Sequence, residues 1–179
     1  MNETIKTLLS RRSHRDYQDK SIEQEKIEQI ITAGKAAPSS RNQQKYLIKV
    51  ITNVDLIQEL AQESKRLLNE KRPEISLREM ADPIFYQAPL LILIFVEKGD
   101  KWAGINAGLL ASNMFNAAWS LGIGSCYIGL ANILNQSNLL KSKIDYPDDY
   151  ELMTPLIFGY PKSDQVPVPV RKSDNVEYV

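Results

Sequence analysis

Five residues near the start of the chain, Arg11-Arg12-Ser13-His14-Arg15, gather three guanidiniums and a hydroxyl. A guanidinium stays charged at any accessible pH, and its planar fork meets two phosphate oxygens at once. The chemistry such a cluster offers is capture of a phosphate. A solvated basic turn is the plain alternative, because runs of charge ordinarily face water. Nucleic acid is disfavoured as the ligand, since the chain balances 22 Lys and Arg against 22 Asp and Glu. One small phosphorylated ligand suits a local cluster better.

Two further stretches carry polar or close-approach chemistry. Pro38-Ser39-Ser40-Arg41-Asn42-Gln43-Gln44 is short, turn-forming and dense in neutral donors and acceptors. It reads either as a plain loop or as a set of hydrogen-bonding groups for a polar ring or sugar chain. Gly122 to Leu130 contains glycines that let a backbone approach a flat ligand. It is not a dinucleotide fingerprint, because the G-x-G-x-x-G register fails and a helix precedes it where a strand should. Other chemistry is poorly supplied. His14 is the only histidine and Cys126 the only thiol, so neither a metal cluster nor a Ser-His-acid triad is expected. There is no P-loop. If the chain is an enzyme, a cofactor carries the bond chemistry and the protein supplies binding and orientation.

The elements that must position these residues follow from hydrophobic periodicity. Asn2 is placed to cap a first helix with Ile5, Leu8 and Leu9 on one face. Ser21-Ile22-Glu23-Gln24 reads as a capping box for a helix striped by Ile27, Ile30 and Ile31 and ending between Gly34 and Pro38. Tyr46–Ile51 is expected as a strand and Val54–Leu68 as an amphipathic helix. Residues 69–82 are expected as an irregular surface connection or lid. Pro89–Val96 is a continuous apolar run, expected as a central strand covered on both faces. Trp102–Leu121 is the longest helix and is apolar on more than one face, which predicts burial nearly all round. Gly104, Gly108 and Ser112 recur every fourth residue, so another helix could approach closely. A dimer interface or an internal core helix would each explain it. Asn132 is a candidate cap for a short helix through Leu140, and Leu152–Phe158 is expected as a strand. Val166–Arg171 holds two prolines and is expected to lie extended along something, such as a second subunit.

The 179 residues suffice for one substantial domain without a disulfide or metal staple. A single cysteine suits a reducing, cytoplasmic setting. No secretory signal is expected at Met1–Lys6, and the asparagines of the long apolar helix argue against a membrane span.

Taken in order, these stretches resemble the nitroreductase family of FMN-dependent oxidoreductases. The resemblance rests on Arg11-Arg12-Ser13 with Arg15 and Tyr17, Ala37-Pro38-Ser39-Ser40 with Asn42 and Gln44, and Ala88-Pro89 before the apolar strand. It continues through Asn106 to Gly129, with Leu121-Gly122-Ile123-Gly124-Ser125-Cys126 at its centre, then Gly159-Tyr160-Pro161 and Arg171. It implies an α+β fold with a mixed sheet wrapped by helices, in an intertwined homodimer with two interfacial FMN sites. Residues 1–179 would form one FMN-binding domain, with 69–82 as the variable lid and 162–179 as a C-terminal arm.

By the same resemblance, Arg11, Arg12, Ser13 and Arg15 match the first FMN motif; Arg11 with Arg171 would hold the phosphate, and Arg15 or Arg12 would lie near the pyrimidine edge of the flavin. Pro38, Ser39, Ser40 and Asn42 would be laid on the cofactor by the partner chain. Tyr127, Ile128, Gly129 and Leu130 would pack on one ring face, and Asn69 would contact the ring. The chain departs from the family where Gln44-Lys45-Tyr46 replaces the frequent Gln-Pro-Trp, where Asn106 replaces an acid, where Tyr127 replaces Trp, and where Gly129-Leu130 replaces Gly-Gly. The implied activity is ping-pong hydride transfer from NAD(P)H through flavin N5 to nitroaromatics, quinones or enones. No catalytic side chain, metal, nucleic acid or membrane is implied. A non-catalytic flavin or nucleotide carrier, and a specialised flavin-dependent dehalogenase or dehydrogenase, are the alternatives.

Overall fold

The computed structural model describes residues 1–163, 166–172 and 174–179. Along the chain run α1 (Glu3–Ser10), α2 (Gln24–Lys35), β1 (Tyr46–Ile51), α3 (Val54–Lys71), β2 (Leu90–Glu97), α4 (Ala103–Ser120), β3 (Gly124–Tyr127), α5 (Asn138–Lys143) and β4 (Tyr150–Gly159). Short 3-10 segments cover Ser40–Asn42 and Gly129–Gln136. The strands pair antiparallel in the order β1-β2-β4-β3. Outside these pairings, an isolated parallel bridge joins Ser13 to Ser125.

β2 explains why this sheet needs helices on both faces. Its side chains alternate with the two-residue period of a strand. Leu91, Leu93 and Phe95 pack with α3, the second 3-10 segment and α5. Leu90, Ile92, Ile94 and Val96 pack with α2 and α4. Both sets are almost fully buried, so the uninterrupted apolar run marks a strand flanked by β1 and β4 and covered on both faces. In β4 the register slips so that Leu152 faces Phe95 and Thr154 faces Ile94, leaving Met153 as a bulged residue. Asn135 clamps the slip: its amide donates to the Leu152 carbonyl at 2.7 Å and its oxygen accepts the Leu152 N–H at 2.8 Å.

Several local expectations are corrected. Asn2 caps α1 as expected, accepting from the Ile5 N–H at 3.0 Å, but Ile5, Leu8 and Leu9 remain exposed. The capping box at Ser21 does not form. α2 starts later, with Glu23 at its N-cap making no side-chain cap bond. The Glu23 carboxylate instead accepts from the Tyr160 hydroxyl and pairs with Lys26 at 3.4 Å and Lys20 at 3.6 Å. α3 runs on to Lys71, so Asn69 lies in its last turn and the irregular connection begins afterwards. That connection is tied down: Ile75 and Leu77 pack on the core, and Asp82 accepts the N–H groups of Ile84, Phe85 and Gln87. α4 is not buried all round within one chain. Ala107, Leu110 and Met114 face the core, while Ile105 is 57% and Leu109 40% exposed. Asn132 falls inside the 3-10 segment, and Ser137 caps α5 by accepting from the Leu139 N–H at 3.1 Å.

Candidate functional site

The arginine segment is held by backbone pairing to the outer edge of β3. His14 N–H donates to the Ser125 carbonyl at 3.0 Å, and Gln18 N–H donates to the Tyr160 carbonyl at 2.8 Å. The Tyr17 hydroxyl donates to the His14 carbonyl at 2.6 Å. Two glycines make the approach possible. A Cβ at Gly124 would lie 2.8 Å from His14 Cγ, and one at Gly159 would lie 2.7 Å from Tyr17 Cδ1. His14 is buried and stacks on Trp119 with ring centroids 5.2 Å apart. With His14 and Tyr17 turned inward, Ser13 and Arg15 are exposed. His14 therefore anchors the segment and is not aimed at a ligand.

The four arginines are used differently. Arg12 turns back on α1, its Nη1 donating to the carbonyls of Leu9 and Arg11 at 2.7 Å each; it closes the helix end with a cation, as the dipole favours. Arg11 is half-buried and lines an open cleft of about 390 Å³. Its guanidinium carbon stands 5.8 Å from the Phe115 ring centre. Burial, then the Arg12 charge, and more weakly Arg171, hold the Arg11 pKa below its usual value, with Cys126 opposing. Burial pushes the Cys126 thiol up, while Arg15, a hydrogen bond from Ser13, and Arg11 pull it down. Arg11, Ser13 and Arg15 are thus gathered around one residue of β3, and Arg171 is close enough to be felt by Arg11. Among the described residues, no ion pair uses Arg11, Arg12, Arg15 or Arg171. Like charges gathered without an acid, one of them partly desolvated, form a site that favours an anion.

Glycines and small residues of α4, Gly104, Gly108 and Ser112, line the same cleft, with Tyr127 and the bulged Met153 also on its walls. The spacing that suggests helix contact here leaves room beside Arg11. Beyond β3, Ile128 is buried and its N–H donates to the Pro155 carbonyl at 3.0 Å. Gly129 and Leu130 follow as exposed residues opening the 3-10 helix, where the first N–H groups have no partner inside the helix. The Tyr127 ring lies along Gly129, where a Cβ would be 3.2 Å from Cε1, and its hydroxyl accepts from Asn132 Nδ2 at 3.1 Å.

Pro38, Ser39, Ser40, Asn42 and Asn69 do not line this cleft within one chain. Their loop is fixed to α4, because Ser40 N–H donates at 3.0 Å to Oδ1 of the buried Asn106. From sequence, Asn106 stands out as a departure from the family pattern and as one of three amides in an apolar helix. Its role as an anchor, and those of Phe115, Met153 and Asn132, were not visible. An amide inside an otherwise apolar helix was the available signal for Asn106.

The chain belongs to the nitroreductase family, whose family model matches residues 8–160. It is 30% identical to an NADPH-flavin oxidoreductase of Vibrio harveyi, over 93% of this chain and 68% of that protein. It is 28% identical to an FMN reductase (NADPH) of Bacillus subtilis, over 90% of this chain and 67% of that protein. A crystal structure of a nitroreductase with bound FMN from Desulfitobacterium hafniense superposes with a TM-score of 0.90 at 27% identity, covering 100% of this chain and 99% of that one. The donor set here fits such a group: guanidiniums that join no ion pair among the described residues for a phosphate, and the exposed Gly129 and Leu130 for a flat ring. No helix among the described residues is long and apolar enough to cross a membrane.

Proposed function

We propose that the chain is an FMN-dependent NAD(P)H oxidoreductase that works as a cytoplasmic homodimer on small electron-poor acceptors: nitroaromatics, quinones or enones. The observation that carries this reading is Arg11 in its cleft under the charges of Arg12 and Arg171, none of the three in an ion pair among the described residues. Arg11 and Arg171, with the Ser13 hydroxyl, bind the phosphate through charge-assisted hydrogen bonds. Arg12 spends part of its guanidinium on α1 carbonyls, so Arg15 is the cation for the pyrimidine edge of the ring. A cation there favours the electron-rich form of the ring. The backbone from Tyr127 to Leu130 packs on one ring face, with the Gly129 and Leu130 N–H groups as donors to its polar edge. Asn69, at the end of α3, does not line the Arg11 cleft of its own chain, and its contact with the ring belongs to the site as completed in the dimer.

The second copy completes each site with Pro38, Ser39, Ser40 and Asn42. Three apolar surfaces support the dimer: Ile105 and Leu109 on α4, Ile5, Leu8 and Leu9 on α1, and Val168 and Val170 in the arm. FMN, when bound, supplies the hydride relay between NAD(P)H and acceptor. The residues keep one ring face open and align each substrate over it, which is the orientation contribution to rate. NAD(P)H oxidation by the purified protein with an added quinone tests the enzyme reading. Turnover is expected; FMN-replete protein that oxidises neither nucleotide would instead be a flavin carrier.

A further inference from the structure

We propose that Arg41 sets the preference for a phosphorylated donor, its guanidinium binding the 2′-phosphate of NADPH. The inference rests on the homodimeric flavin site proposed above, in which the Arg41 loop borders the cofactor of the second copy.

Arg41 sits between Ser40 and Asn42 on a loop built for rigid presentation. Its backbone is left-handed (φ 52°, ψ 25°), and so are Asn42 (φ 54°) and Gln44 (φ 50°). L-residues disfavour that region and hold it only when their surroundings impose it. Here the surroundings do. Ser40 N–H is bound to Oδ1 of the buried Asn106 at 3.0 Å. Gln44 N–H donates to Ser39 Oγ at 3.1 Å, and the Gln44 amide donates to Asn42 Oδ1 at 3.1 Å. Ser39 Oγ and Asn42 Oδ1 thus help fix the loop's shape. Arg41 is exposed and joins no ion pair among the described residues. Arg66 and Arg72, by contrast, are engaged by Glu63, Glu70 and Glu74.

The charge decides the ligand. The proposed acceptors are neutral, so the donor is the substrate that brings anions. Arg11 and Arg171 serve the cofactor phosphate, which leaves Arg41 as a second guanidinium on a different segment of the site. A phosphate monoester carries about −1.5 to −2 charges near neutral pH and offers three acceptor oxygens. A guanidinium can meet two of those oxygens together. NADH differs from NADPH in lacking that monoester.

The test compares wild type, Arg41→Gln, Arg41→Lys and Arg66→Gln, all saturated with FMN. Arg66 is likewise exposed, but it lies on α3 where Glu63 and Glu70 engage it, outside the proposed site, so it is the control. Binding of 2′,5′-ADP and of 5′-AMP is measured by calorimetry, and KM and kcat are measured with NADPH and NADH. Arg41→Gln is expected to weaken 2′,5′-ADP and raise the NADPH KM by about tenfold or more. The 5′-AMP affinity, the NADH KM and kcat should move less than about twofold, a change too small to reflect a lost charge-assisted contact. Arg41→Lys should restore part of the loss, and Arg66→Gln should match wild type. Equal 2′,5′-ADP binding by wild type and Arg41→Gln overturns the assignment. So does an equal loss for both nucleotides, which would place Arg41 on the shared pyrophosphate or in the loop's own structure. Protein that takes up no FMN sinks the flavin reading separately, while the 2′,5′-ADP comparison still decides the role of Arg41.

Discussion

Replacing Arg11 by methionine should weaken FMN binding and stabilise the protein without FMN. Arg11 is half-buried beside two other guanidiniums, and its charged form is disfavoured by burial and by Arg12 and Arg171. A cation whose pKa is depressed on folding opposes folding at every pH below that pKa, which for arginine spans the working range. Methionine removes that cost and keeps an apolar stem near Phe115. The cation–π contact it loses is weak, because 5.8 Å is near the limit of such contacts. On the ligand side, one charge-assisted hydrogen bond contributes about 1.5–3 kcal/mol, or roughly 10- to 150-fold in Kd. The assay is flavin fluorescence quenching on titration with FMN and with riboflavin, which lacks the phosphate, together with thermal denaturation of both apoproteins. FMN affinity should fall while riboflavin affinity holds and the apoprotein Tm rises. An unchanged FMN Kd, or an equal loss for riboflavin, would refute the assignment of Arg11 to the phosphate.

Three further outcomes follow from the packing. Gly159→Ala forces a Cβ to within 2.7 Å of the Tyr17 ring and 2.9 Å of Pro89 Cδ; it should destabilise by about 1–3 kcal/mol and loosen the arginine segment, read by denaturant unfolding. Ile105→Lys on the exposed face of α4 should yield monomers in sedimentation, and an unchanged dimer would place the interface elsewhere. Tyr160→Phe removes the hydroxyl chiefly responsible for lowering the Glu23 pKa from 4.5 to about 2. A depressed carboxylate pKa adds stability above its ordinary value that is lost as pH falls through the folded value. The mutant should therefore lose less stability than wild type between pH 4.5 and 2, checked by acid titration of circular dichroism.

The regular elements were legible because their signals are local. The β-branched run before Glu97, the apolar stretch Leu152–Phe158 and the periodicity of α4 each gave an element within a residue or two of its observed bounds. What was illegible depends on contacts between distant residues. Glu23 is drawn to Tyr160, so the capping box is abandoned. The arginine segment becomes an edge of the sheet because Gly124 and Gly159, far along the chain, leave space for His14 and Tyr17. The site was legible in its types but not in its division of labour: three neighbouring arginines look alike until Arg12 is seen on the carbonyls of α1. The apolar second face of α4 is expected from sequence to be buried, yet within one chain it lies open.

The central claim is that the arginine-lined cleft holds FMN, and the visible absorption spectrum of the purified protein, with the chromophore identified after heat release, tests it most directly. Paired flavin bands and released FMN are the predicted result. A colourless protein that also fails to take up added FMN would contradict the account.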